Sequence, residues 1–161
     1  MSSVAVCSLG QFADPCLTGY SDKGERLVAG IVALSPDRTK VLLIQASNRK
    51  NWVIPKGGWE TDEPTAAEAA KREAWEEAGI ICTDLKDLGH ILDERTTKET
   101  TAHAPKALYQ FFEAQVIKEE DDYPEKAKRG RCWMTYAEAR NVLAKRKELM
   151  EAVNRSSIVK A

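Results

Sequence analysis

Apolar and small residues run almost unbroken through RLVAGIVAL, from Arg26 to Leu34, and through KVLLIQ, from Lys40 to Gln45. Runs of this length bounded by turn residues predict buried strands. Ser35, Pro36, Asp37 and Arg38 between them form a turn, so the two runs predict a hairpin. A third short strand is expected at 52–54, before Pro55 and the pair Gly57 and Gly58 break it. The period then changes. Thr65 to Ala78 reads as helix: Thr65 and Glu68 have capping-box spacing, Pro64 lies just ahead, and Gly79 is placed to end the helix in a left-handed conformation. Strand pieces follow at 80–82 and 88–92, then a polar loop over 93–105, then the aromatic strand ALYQFFEAQVI at 107–117, which pairs with 88–92 across that loop. After an acidic turn at 118–123 comes a short strand at 131–134. Thr135 with Glu138 makes a second capping box and starts a helix to about residue 144, and a further helix covers 147–154. Residues 1–25 read as an arm with one short strand near Val4 to Cys7. Residues 26–161 form one domain, an α+β fold in which a mixed sheet lies between helices as an α/β/α sandwich.

Composition narrows the field. The chain has 161 residues, 24 Lys and Arg against 25 Asp and Glu, and a net charge of −1. No global field draws it to bulk nucleic acid or to a membrane surface, so anion recognition must come from a local basic patch. No apolar run approaches the roughly 20 residues of a membrane span. No basic segment followed by an apolar core opens the chain, which points to a cytoplasmic or nuclear setting, although a secreted form with its signal removed would read the same. Cys7, Cys16, Cys82 and Cys132 show no C-x-x-C spacing, which argues against zinc. Cys82 and Cys132 are expected as buried thiols, Cys7 and Cys16 as free ones.

Glu73, Glu76 and Glu77 carry the chemistry. Three and four residues apart on a helix, they share one face and repel when ionised. A Glu-rich helix with Lys71 and Arg72 would ordinarily be a solvated face laced with ion pairs. The glycine pair before it and Gly79 after it shift the balance. Hard carboxylate oxygens suit Mg²⁺, Mn²⁺ or Ca²⁺, and a glycine loop lets backbone approach a metal or phosphate closely.

The stretch from Gly58 to Ile80 resembles the Nudix box, G-x5-E-x7-R-E-U-x-E-E-x-G-U with U apolar. Gly58 fills the first position, and Arg72, Glu73, Ala74, Glu76, Glu77, Gly79 and Ile80 fill the end. One position departs: Pro64 stands where the first Glu belongs, with Glu63 one residue earlier, and no role is assigned to Glu63. The resemblance implies a divalent-metal-dependent pyrophosphohydrolase with Mg²⁺ or Mn²⁺. Glu73, Glu77 and Glu76 would be ligands with a carbonyl such as that of Gly57, Glu76 the catalytic base, and Arg72 a support that orients a glutamate. Within the family, NWVIPKGGWETDEPTAAEAAKREAWEEAGI and the tail ELMEAVNRSSI are similar to fungal diadenosine and diphosphoinositol polyphosphate phosphohydrolases.

A diphosphoinositol polyphosphate calls for clustered cations. The expected substrate contacts are Arg26, Ser47, Lys56, Gly57, Gly58, Lys106, Arg129, Arg131 and Lys147, with Arg49, Lys50 and His103 farther out. A dinucleoside polyphosphate or an mRNA cap would need an aromatic platform instead, for which Trp59, Tyr20 and Tyr109 are placed, while Trp52 and Trp75 are core. A non-catalytic polyphosphate-binding module is the reading of a different class. The oligomeric state is open.

Overall fold

A computed structural model describes residues 19–21, 23–93 and 106–161. Strands β1 (Arg26–Leu34), β2 (Lys40–Gln45), β3 (Trp52–Val53), β4 (Lys56–Gly58), β5 (Ile80–Leu92), β6 (Ala107–Glu119) and β7 (Arg131–Thr135) build a mixed sheet with helices α1 (Ala66–Ala78), α2 (Tyr136–Val142) and α3 (Lys147–Arg155). The order is β3-β2-β1-β6-β5, with β4 also on β1 and β7 also on β2. β1 and β6 run parallel from Arg26 with Ala107 to Leu34 with Gln115. The β1–β2 hairpin is antiparallel, as its turn requires.

Past Arg26 every residue of β1 is buried. Side chains alternate across a strand, so burial at every position means that both faces of β1 are covered. α1 packs on β1, β4, β5 and β6, α3 on β5, and α2 on β7 and β2. The face that α1 turns inward is made of Ala66, Ala69, Ala70, Ala74 and Ala78. Small side chains let the helix backbone lie close to the strands, which brings Glu73 and Glu77 down to β4. No helix among the described residues is long and apolar enough to cross a membrane.

Four expectations change. The glycine loop is strand β4, with Gly57 opposite Ala29 and Gly58 opposite Val28. The two pieces after α1 are one strand, β5, whose register shifts absorb the positive φ of Asp84 and Gly89. Its end does pair with β6 as expected, Leu92 opposite Leu108. Cys132 is exposed, not buried, although it shares a strand face with buried Met134 two residues on. Cys82 is half-buried, and burial pushes its thiol up to about 12. The N-terminal strand, Cys7, Cys16 and His103 lie outside the described residues.

Candidate functional site

The site forms where α1 crosses β4. Thr65 caps the helix, its side chain accepting from Glu68 N at 3.2 Å, and Gly79 closes it at φ 66° with its N–H returned to Ala74 and Trp75 carbonyls. Within this frame Glu73 is 7% and Glu77 9% exposed. A Cβ on Gly57 would overlap the Glu73 carboxylate, so only glycine leaves that carboxylate room against the strand.

The three glutamates do not converge on one point. Arg72 Nη1 donates to Glu73 Oε1 at 2.8 Å and to Glu76 Oε1 at 3.1 Å. Glu77 Oε1 instead accepts from Lys56 N at 3.0 Å, with Arg129 Nη1 at 3.9 Å. Repelling carboxylates each take the nearest donor. Among the described residues no three carboxylates, imidazoles or thiolates stand together as a ready metal cage. The donor chemistry nevertheless fits a hard divalent ion. Burial pushes Glu73 up to about 7, Glu77 adding and Arg72 opposing. Burial also pushes Glu77 up, against Lys56 and Arg129. Two buried carboxylates that resist ionisation side by side gain most from an added cation. Glu73, Glu76, Glu77 and the backbone of Gly57 are the groups that would hold it.

Arg72 is the hub. Its Nε meets Glu63 Oε2 at 2.8 Å and its Nη2 meets Glu63 Oε1 at 3.0 Å, a two-pronged pair. Nη2 also donates to the Gly58 carbonyl at 2.9 Å. Burial works against the charge of Arg72, but these carboxylates outweigh it and hold the guanidinium more firmly protonated. Glu63, given no role by the motif's register, is therefore the residue that anchors Arg72. The turn before it absorbs the one-residue offset, Glu63 N bonding Glu60 O at 3.1 Å. Trp59 Nε1 donates to the Glu63 carbonyl at 3.1 Å, which makes this indole a brace for the turn.

The expected cations divide. Lys56 is half-buried, and burial pushes its ammonium down to about 8, opposed by Glu77 and reinforced by Arg146, Arg129 and Arg26. The three arginines are within charge range of Lys56, and of the four cations Lys56 and Arg129 act on Glu77. Arg146 was not singled out from sequence, where it is one of three consecutive basic residues. Its Nε is held by Glu148 Oε2 at 2.7 Å and its Nη2 by the Tyr109 hydroxyl at 3.2 Å. Lys106 adjoins Arg26, its carbonyl accepting from Arg26 N at 2.9 Å. Ser47 and Lys147 are exposed. Arg49 Nη1 donates to the Ala127 carbonyl at 3.0 Å. Arg131 turns away to the end of α1, Nη1 donating to the Ala78 carbonyl at 2.7 Å. Tyr109 is buried and stacked on Phe111, 5.3 Å between centroids, so its ring is not an open platform.

A NUDIX domain model matches residues 24–154. Nudix hydrolase 12, mitochondrial, of Arabidopsis thaliana is 39% identical over 106 residues, 64% of this chain and 51% of its own length. The chain thus spans about half the length of that relative. Among solved structures, a NUDIX hydrolase from Nitrosomonas europaea aligns over 81% of this chain and 87% of its own, TM-score 0.67 at 20% identity. An Ap4A hydrolase of C. elegans aligns over 81% and 95%, TM-score 0.59 at 20% identity. At such identity these two share the fold.

Proposed function

The chain belongs to the NUDIX family, and on that premise we propose that it hydrolyses a phosphoanhydride of diphosphoinositol polyphosphates, with dinucleoside polyphosphates as a second class of substrate at the same site. The observation that carries the reading is a desolvated Lys56 within charge range of Arg26, Arg129 and Arg146, with the Arg129 guanidinium 3.9 Å from Glu77. Four cations within charge range of one another, one of them desolvated, suit a small ligand with many phosphates better than a nucleobase. The aromatic residues argue the same way, since Tyr109 is buried and the Trp59 indole is tied to Glu63. A methylated cap would require an aromatic sandwich, and of the three candidate rings only Tyr20, bridged to Arg26, is exposed.

Bound divalent ions, Mg²⁺ or Mn²⁺, would neutralise phosphate charge and acidify an attacking water. The chain supplies the rest. Lys56 and the arginines hold the non-reacting phosphates. Glu73 and Glu77 present buried oxygens. Glu76, 34% exposed at its side chain, is the glutamate open enough to accept a proton from water. Arg72 keeps Glu73 and Glu76 oriented.

The test is phosphate release from diphosphoinositol, dinucleoside and capped-RNA substrates by wild type and Glu76→Gln. The diphosphoinositol compound should turn over fastest, and Glu76→Gln should lower turnover by about 10²–10⁴-fold. Metal-dependent turnover confined to nucleotides would transfer the assignment to dinucleoside polyphosphates. Tight binding with no product from any substrate would leave a polyphosphate-binding module.

A further inference from the structure

Residues 120–131, between β6 and β7, fold back onto the C-terminal end of α1. A helix leaves its last carbonyls without partners inside the helix, and its negative dipole end favours a cation. α1 has no basic residue in its last turn. The connection supplies what is missing. Glu125 N donates to the Glu76 carbonyl at 2.9 Å and Glu120 N to the Gly79 carbonyl at 2.7 Å. Arg131 Nη1 donates to the Ala78 carbonyl between them. The Tyr123 ring fills the space above Gly79 that a side chain there would need. Arg131 lies over that ring, 5.0 Å from its centroid, and its Nε is 3.5 Å from Glu119 Oε1.

The same connection reaches the site. Glu125 holds Arg129 Nη2 at 3.0 Å, and Arg129 faces Glu77. Glu125 therefore ties Glu76 through its backbone and Arg129 through its carboxylate. We propose that Arg131 and Tyr123 are positioning residues: they clamp the end of α1 and so set where Glu76 and Glu77 stand, and Arg131 does not touch the substrate. Arg131 acts on main chain and Arg129 on a side chain, although only Gly130 separates them. A helix end that slips by a fraction of a turn moves Glu77 off Lys56 N and Glu76 off Arg72 together, because both sit in the last turn and a half. The proposal deepens the reading above, since it reassigns a cation that the basic cluster could otherwise claim.

The experiment separates clamp from contact. Arg131→Met, Tyr123→Ala and Tyr123→Phe are compared with wild type by Mn²⁺ binding in electron paramagnetic resonance, by calorimetric binding of inositol hexakisphosphate without metal, and by steady-state turnover. Inositol hexakisphosphate has the phosphates but no anhydride. Arg131→Met and Tyr123→Ala should weaken Mn²⁺ binding and lower kcat by about tenfold or more, as misplacement does. Inositol hexakisphosphate affinity should stay within about twofold, as it should when no phosphate contact is lost. Tyr123→Phe keeps the ring and should restore wild-type values even if Tyr123→Ala unfolds. A tenfold loss of inositol hexakisphosphate affinity in Arg131→Met with Mn²⁺ binding intact would make Arg131 a substrate contact and overturn the proposal. Unchanged Mn²⁺ binding and kcat in folded Arg131→Met would overturn it too. If wild type turns over no diphosphoinositol substrate, the substrate assignment fails while the Mn²⁺ measurement still decides the clamp.

Discussion

α1 and α3 both bury glutamate, and the two cases differ in kind. Glu148, 6% exposed, sits in the first turn of α3, where the helix dipole favours a carboxylate, and Arg146 Nε meets it at 2.7 Å. Glu73 and Glu77 are about as buried, but they stand one turn apart in the second half of α1, burial raises both, and the Glu77 charge raises Glu73 further. Glu148 is satisfied by local structure. The α1 pair is not: burial against the glycine strand holds both carboxylates above their ordinary range, which is what a bound cation would relieve. Burial alone does not separate a structural carboxylate from a functional one; the sign of its surroundings does.

The largest contrast should come from neutralising each kind. Glu73→Gln and Glu77→Gln should each cost at least about 100-fold in turnover, the scale on which metal sites respond to altered ligand shells, yet raise Tm at pH 8 without metal. Glu148→Gln should lower stability by about 1–3 kcal/mol, read as a lower Tm, and raise KM through Arg146 while Mn²⁺ binding persists. Parallel loss of stability in all three variants would erase the distinction.

Next in size is Gly57→Ala. The backbone there needs no positive φ, so the strand should still form. The new methyl collides with the Glu73 carboxylate, and turnover should fall about 100-fold. Circular dichroism checks the fold, and an active, folded variant would mean that Glu73 has another resting place.

pH sharpens the comparison further. The folded value of Glu73 is raised, from 4.5 to about 7, so the native state binds more protons than the unfolded chain in that window. Metal-free stability should therefore fall as pH rises from about 4.5 to about 7 and level off above. Thermal melts across this range test it. Glu73→Gln should flatten the slope, and Mg²⁺ at pH 8 should recover the loss.

The smallest effect expected is at the caps. Thr65→Ala removes the bond to Glu68 N and Thr135→Ala removes the reciprocal box with Glu138. Each should cost about 1 kcal/mol in chemical denaturation. Only Thr65→Ala should also reduce turnover, because only α1 carries the glutamates.

Much of the frame was legible in residue order. The β1–β2 hairpin, the span and both ends of α1, the pairing of β5 with β6 and both threonine caps follow from periodicity and capping, which act over a few residues. From residue order the glycine segment reads as loop, because β-pairing is a property of two strands and nothing in KGG announces its partner at Val28 to Gly30. Glu63 was passed over because the motif counts residues, whereas Arg72 measures distance. A turn shifted by one residue delivers the same carboxylate to the same guanidinium.

Arg72, Arg129, Arg131 and Arg146 carry one and the same side chain, and nothing local tells them apart. Their destinations, a carboxylate hub, a buried glutamate, a helix end and the Glu148–Tyr109 pair, are set by contacts such as Arg131 with Ala78, 53 residues apart in the chain. Local rules therefore decide that a helix of glutamates exists and where it begins and ends. Which cation meets which glutamate depends on how β6, β7 and α3 settle around that helix, because charge acts through space and not along the chain.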